Sequence, residues 1–129
     1  MKVLVLGHKG MLGHMVKKYL HDIGVNVITT THRWPNNKNF IRNFDGDYII
    51  NCIGAIPQKT NSFNINWQLP IWLDLNSSCR IIHPGTDCEM DDDDYGASQN
   101  IAGNYIRTLS HKPKSLQTAI IGPTRTEHA

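Results

Sequence analysis

The segment Gly7-His8-Lys9-Gly10-Met11-Leu12-Gly13 constrains the fold of this chain more than any other stretch. An apolar run, Val3-Leu4-Val5-Leu6, precedes it, and a helix-period segment from Met11 to Leu20 follows. Strand, glycine turn and helix in that order form a mononucleotide-binding unit. Glycine lets backbone turn sharply and approach a pyrophosphate closely. The helix then offers its N–H groups and the positive end of its dipole to the phosphates. The spacing is G-x-x-G-x-x-G rather than G-x-G-x-x-G. Two readings fit. Gly7, Lys9, Gly10, Met11, Leu12 and Gly13 form a dinucleotide site, or the glycines only let helix and strand pack.

The remaining elements are read from periodicity and punctuation. Lys2 to Leu6 is apolar without alternation, which predicts a buried, central strand. Helix one places Leu12, Met15, Val16, Tyr19 and Leu20 on one stripe, and Gly24 ends it. Val25 to Thr30 is the second strand. Dinucleotide sites for NAD carry an acid about 20 residues past the glycines, to hold the ribose 2′-hydroxyl. Here the region reads Thr29-Thr30-Thr31-His32-Arg33 and has no acid. Arg33, with Lys9, suits a 2′-phosphate instead, which favours NADP(H) over NAD(H). The alternative for Arg33 is a solvated loop cation.

Trp34 to Asp47 has room only for a short helix around Asn39 to Phe44, so the third strand of a doubly wound sheet is short or missing. Tyr48 to Ile53 is the next buried strand, broken by Gly54. Ligands sit beyond strand ends in such sheets, so Asn51, Cys52, Ile53 and Gly54 should line the cofactor cleft, continuing to Ile56. Pro57 to Phe63 reads as a polar loop. Leu69 to Leu75 reads as a helix with Pro70 near its start, and Arg80 to His83 as a short strand. From Asp87 to Asp94 six carboxylates fall within eight residues. That is a solvated acidic loop ahead of a helix, Tyr95 to Leu109, and no metal site is expected. Leu116 to Ile121 is the last strand. The expected fold is α/β: a three-layer, Rossmann-like, doubly wound parallel sheet in a single domain, 1–129, with strand order 2-1-4-5-6 and no proper third strand.

Composition narrows the partners. A net charge of +2 over 129 residues argues for neither nucleic acid nor membrane. No apolar run approaches the roughly 20 residues of a spanning helix. The chain enters a strand at once, without a basic-then-apolar leader, and Cys52, Cys79 and Cys88 show no CxxC spacing. Reduced thiols in a cytoplasmic protein are the expectation, each a small core residue.

Taken in order, the glycine loop, Asn51-Cys52-Ile53-Gly54, Thr86-Asp87-Cys88, Tyr95-Gly96-Ala97-Ser98 and Ile120-Ile121-Gly122 resemble an extended short-chain dehydrogenase/reductase. The branch is that of the dTDP-4-dehydrorhamnose reductases, which make or modify nucleotide sugars for polysaccharides. The resemblance covers nearly the whole chain. It implies an NADP(H)-dependent oxidoreductase or epimerase in which Thr86 orients the sugar ketone and Tyr95 transfers the proton. Residue 99 is the family's lysine position, one helical turn from Tyr95, so both point into one cleft.

Three departures stand out. Residue 99 is Gln. Gln99 can hydrogen-bond ribose hydroxyls but supplies no positive field to ease ionisation of the phenol. The gap from Asp87 to Tyr95 is short, leaving less wall for a nucleotide sugar. The family's substrate-closing C-terminal region would begin past Ile121, where this sequence has only Gly122 to Ala129. Two expectations therefore stand side by side. One is a nucleotide-sugar reductase or epimerase whose site is completed by another copy or a partner chain. The other is a non-catalytic nucleotide-binding module.

Overall fold

The structure, a computed structural model, describes residues 1–54, 64–84 and 97. Its elements are β1 (Lys2–Leu6), α1 (Met11–Asp22), β2 (Asn26–Ile28), α2 (Lys38–Asn43), β3 (Tyr48–Asn51), α3 (Ile65–Asn76) and β4 (Arg80–Ile82). The four strands form one parallel sheet in the order β2-β1-β3-β4. β1 is interior, as its unbroken apolar run requires: Val3, Leu4, Val5 and Leu6 are all buried. The register pairs Leu6 with Asn51, bringing the glycine loop that follows β1 level with the end of β3.

Strand alternation divides the core into two faces. Leu4 and Leu6 join Ile49 and Ile81 in one cluster with Ile41 from α2, Phe44 just after it, and Leu69 and Leu73 from α3. Val3 and Val5 are buried outside that cluster, on the face that α1 covers. The expected gap in the sheet is real. After Ile28 the chain passes through α2 straight into β3, which pairs with β1, so no strand flanks β2 on its outer side among the described residues. Asp47 clamps the start of β3 to β1. Its N–H donates to the Lys2 carbonyl at 2.8 Å, and its carboxylate accepts from the Lys2 N–H at 2.8 Å.

Several boundaries differ from the sequence expectation. Met15 and Tyr19 do not belong to the buried stripe of α1; they are 51% and 64% exposed. Leu12, Val16 and Leu20 are half-buried instead, with Gly13 beneath them. The helix rests on β1 and the three-residue β2, a ledge that takes one row of side chains. Pro70 is not at a helix start. α3 begins at Ile65, so Pro70 lies in its second turn, where it cannot donate to the Asn66 carbonyl. The polar residues Asn64, Asn66 and Gln68 hide this beginning in the sequence, although Leu69 and Leu73, one turn apart, anchor the helix in the core. β2, β3 and β4 are each shorter than expected, ending at Ile28, Asn51 and Ile82.

Gly24 closes α1 as expected. Its φ is +87°, and the Val25 N–H returns to the Leu20 carbonyl at 2.9 Å. Cys79 is a buried thiol that donates to the Gly46 carbonyl at 3.1 Å. No helix among the described residues is long and apolar enough to cross a membrane. The expected loop Pro57–Phe63, the acidic run, Cys88, the helix Tyr95–Leu109 and the strand Leu116–Ile121 lie outside the described residues, Ala97 aside.

Candidate cofactor cleft

A cleft of about 470 Å³ opens beyond the C-terminal ends of β1, β2 and β3. It is the place where a parallel sheet offers a ligand site. Three short segments build it, and each does so for a local reason.

The glycine loop forms the first wall. Gly7 has φ +81°, and a Cβ there would lie 2.9 Å from the backbone carbonyl carbon and oxygen of Cys52. Gly13 is equally constrained, because a Cβ on it would collide with the Gly7 carbonyl. Both glycines are thus demanded by packing. Gly10 is not: its φ is −79°, and a Cβ would meet only the Gly7 carbonyl oxygen, at 3.4 Å. The space it leaves open belongs to the cleft. α1 begins there with no side-chain cap and no acid in its first turn, which leaves the positive end of its dipole uncompensated. Lys9 is exposed and His8 half-buried. Partial burial, then Lys17 and Lys9, pushes the His8 pKa below the usual histidine value.

The second wall follows β2. Thr30 Oγ1 accepts from the His32 N–H at 3.2 Å, and the Asn36 N–H donates to the Arg33 carbonyl at 2.7 Å. These turns present Thr31, His32 and Arg33 along the cleft, all exposed. Trp34 is fixed behind them. It packs edge-on against Trp72, centroids 5.1 Å apart, with the Lys38 ammonium 5.1 Å from its ring. Asn37, just before α2, is 1% exposed and also lines the cleft.

The third wall is the end of β3. Asn51 is buried, and its Oδ1 accepts from the Ile53 N–H at 3.2 Å. Its Nδ2 donates to His83 Nδ1, 3.3 Å away. Burial lowers the His83 pKa to about 4. Cys52 is held to β1 by its N–H, which donates to the Leu6 carbonyl at 2.9 Å. Burial also pushes the Cys52 thiol up to about 12, so it is no nucleophile at neutral pH.

Of the residues singled out in the sequence, Gly7, Lys9, Gly10, Arg33, Cys52, Ile53 and Gly54 line this one cleft. Asn51 and Gly13 support it from beneath, and Met11 and Leu12 form the first turn of α1. Thr86, Tyr95 and Gln99 lie outside the described residues. Sequence reasoning missed Trp34, Asn37 and His83. Nothing in the sequence separates Asn37 from its neighbour Asn36; only its burial does. No carboxylate is among the cleft-lining residues described, and no group of three metal-ligating side chains occurs among the described residues.

No protein-family model and no curated protein matches the sequence. Solved structures do match. A UDP-rhamnose synthase from Acanthamoeba polyphaga mimivirus is 18% identical with a TM-score of 0.70, over 93% of this chain and 55% of that one. A dTDP-4-dehydrorhamnose reductase from Clostridium acetobutylicum is 20% identical with a TM-score of 0.65, over 91% and 52%. The ADP-L-glycero-D-manno-heptose-6-epimerase of Helicobacter pylori is 10% identical with a TM-score of 0.74, over 90% and 53%. The chain spans about half the length of each of these three proteins. At these identities the likeness is one of fold: a parallel α/β sheet shared with nucleotide-sugar reductases and epimerases.

Proposed function

We propose that this chain binds a nicotinamide dinucleotide, NADP(H) in preference to NAD(H), and serves a nucleotide-sugar reductase or epimerase. The observation that carries the reading is the cleft itself. It pairs an unfilled space at Gly10 with a cationic lining, Lys9 and Arg33, and no opposing carboxylate among the described residues. A diphosphate fits the space at Gly10 and the uncapped start of α1. Arg33 suits a 2′-phosphate, where an acid would serve a 2′-hydroxyl. Bound there, the cofactor supplies hydride chemistry. From the family resemblance, Thr86 orients the sugar ketone and Tyr95 holds the proton that the carbonyl oxygen receives. The fold shared with the reductases and epimerases supports the class.

Gln99 favours a second reading, a module that binds nucleotide without turnover. An amide there cannot supply the field that a lysine gives a neighbouring phenol: a cation about 4–5 Å away is worth roughly 3–4 kcal/mol at an effective dielectric near 20. The test follows NADPH oxidation with a 4-keto nucleotide sugar for wild type, Gln99→Lys and Tyr95→Phe. The expected result is slow wild-type turnover, a rise of about tenfold or more in Gln99→Lys, and loss in Tyr95→Phe. Turnover that persists in Tyr95→Phe would remove Tyr95 from the reaction. Cofactor binding with no turnover in any variant would establish the binding module.

A further inference from the structure

Parallel sheets are covered on both faces, but among the described residues one face of this sheet is covered over half its width. α2 and α3 supply Ile41, Leu69 and Leu73 to the face of Leu4, Leu6, Ile49 and Ile81. α1 lies on the other face, over β1 and β2. The register extends that second face across β3 and β4. Val3 pairs with Tyr48 and Val5 with Ile50, and these pair in turn with Arg80 and Ile82. Tyr48, Ile50 and Ile82 are half-buried, Arg80 is exposed, and no described helix is left to cover them. The wall beside this floor is also apolar. Met11, Met15 and Tyr19 of α1, and Ile23 just past its end, recur every four residues and are each more than half exposed. A right-handed β1–α1–β2 crossover turns that stripe toward β3. Wall and floor make one apolar notch.

We infer that an amphipathic helix of a partner protein docks in this notch and places a carboxylate side chain at Arg80. The fit is dimensional first. A helix about 10 Å across covers two strands set about 4.8 Å apart, and an apolar helix stripe matches the row of Met15, Tyr19, Ile50 and Ile82. The charge follows from a cavity of about 340 Å³ at the start of β3 and β4, lined by Gly46, Asp47, Tyr48, Ser78, Cys79 and Arg80. Tyr48 and Arg80 belong to both cavity and floor, so the cavity opens at one end of the notch. The other polar groups there are engaged. The Asp47 carboxylate accepts from the Lys2 N–H, and the Cys79 thiol donates to the Gly46 carbonyl. Arg80 is the one cation among the lining residues and holds no carboxylate among the described ones. A guanidinium fork suits a carboxylate. A second copy of this chain is the poorer occupant, because the exposed side of its α1 would bring His14, Lys17, Lys18 and His21 toward Arg80.

Fluorescence anisotropy on the full chain tests this with two labelled helical peptides of ~18 residues that share one leucine stripe. Glutamates flank the stripe in one peptide and lysines in the other. Wild type should bind the acidic peptide ~5-fold or more tightly than the basic one, and Arg80→Glu should reverse the preference. Met15→Lys should weaken the acidic peptide ~10-fold or more. Leu75→Lys, at an exposed apolar residue of α3, should change it by less than ~2-fold. All three substitutions are at exposed residues, and the preference is a ratio within each variant, so a general loss of folded protein cancels. Several results would overturn the assignment: no binding of either peptide, equal affinities in wild type, a preference that Arg80→Glu leaves unmoved, or Leu75→Lys costing as much as Met15→Lys. Sedimentation that shows a dimer split by Met15→Lys would give the notch to a second copy and overturn it as well.

Discussion

Asn51 and His83 meet in a buried hydrogen bond across the ends of two strands. Asn51 Nδ2, at the last residue of β3, donates to His83 Nδ1 just past β4, at 3.3 Å. The Ile53 N–H donates to the other end of the same amide, which fixes its orientation. His83 must therefore accept at Nδ1, as only a neutral imidazole can. Both residues are nearly inaccessible, 2% and 4% exposed. The Ile53 backbone that this amide accepts from packs close to Gly7, where a Cβ would lie 3.0 Å from the Ile53 nitrogen.

That arrangement makes stability depend on pH. Burial lowers the folded-state pKa of His83 from 6.5 to about 4. Between those values the unfolded chain binds the proton and the folded chain does not, so stability falls as pH drops through this window. His83 contributes fully above pH 6.5, and its contribution is lost by about pH 4. The loss amounts to about 3 kcal/mol across the window. Urea unfolding at intervals of pH should show this slope, and His83→Leu should flatten it while lowering stability at neutral pH, because Asn51 Nδ2 loses its acceptor. An unchanged slope in the variant would assign the pH dependence elsewhere.

The three glycines of the loop should separate by substitution. Gly13→Ala drives a methyl into the Gly7 carbonyl and should cost about 3 kcal/mol or more. Gly10→Ala meets only an ordinary contact in the protein, so its effect on stability should stay within about 1 kcal/mol. Its methyl would project into the cleft, however, and if the diphosphate lies there as proposed NADPH affinity should drop ~10-fold or more. Melting curves and calorimetry on the two variants check both halves. Gly10→Ala binding NADPH as tightly as wild type would place the diphosphate elsewhere.

His8 reports the field at the loop. Burial, Lys17 and Lys9 together hold its pKa below the ordinary value. A bound diphosphate offsets the two lysines, so the His8 midpoint should move upward when NADPH is added. Imidazole resonances followed by NMR across pH, with and without NADPH, give the sign directly. A fall, or no movement, would mean that the anion does not bind beside His8.

How far the sequence reveals this molecule depends on whether a feature is local. Val3 to Leu6 announces a two-faced buried strand, and the glycines at 7, 10 and 13 announce the loop, because both patterns are local and strong. The missing third strand is legible in the same way, since Trp34 to Asp47 cannot supply it. The absent acid before Arg33 is equally plain. Met15 and Tyr19 mislead because periodicity shows a stripe but not the width of the ledge it rests on. Pro70 misleads because a helix held by Leu69 and Leu73 tolerates one lost hydrogen bond. Asn37 and His83 are invisible beforehand, since burial and pairing across distant segments leave no mark on a polar residue's neighbours.

The central claim is that this cleft holds NADP(H) with Arg33 on the 2′-phosphate. Titration calorimetry with NADPH and NADH, on wild type and Arg33→Ala, tests it most directly. A charge-assisted contact to the phosphate predicts wild-type preference for NADPH of ~10-fold or more, falling to ~3-fold or less in Arg33→Ala with NADH affinity little changed. Wild type that binds neither cofactor, or binds both equally, would contradict it.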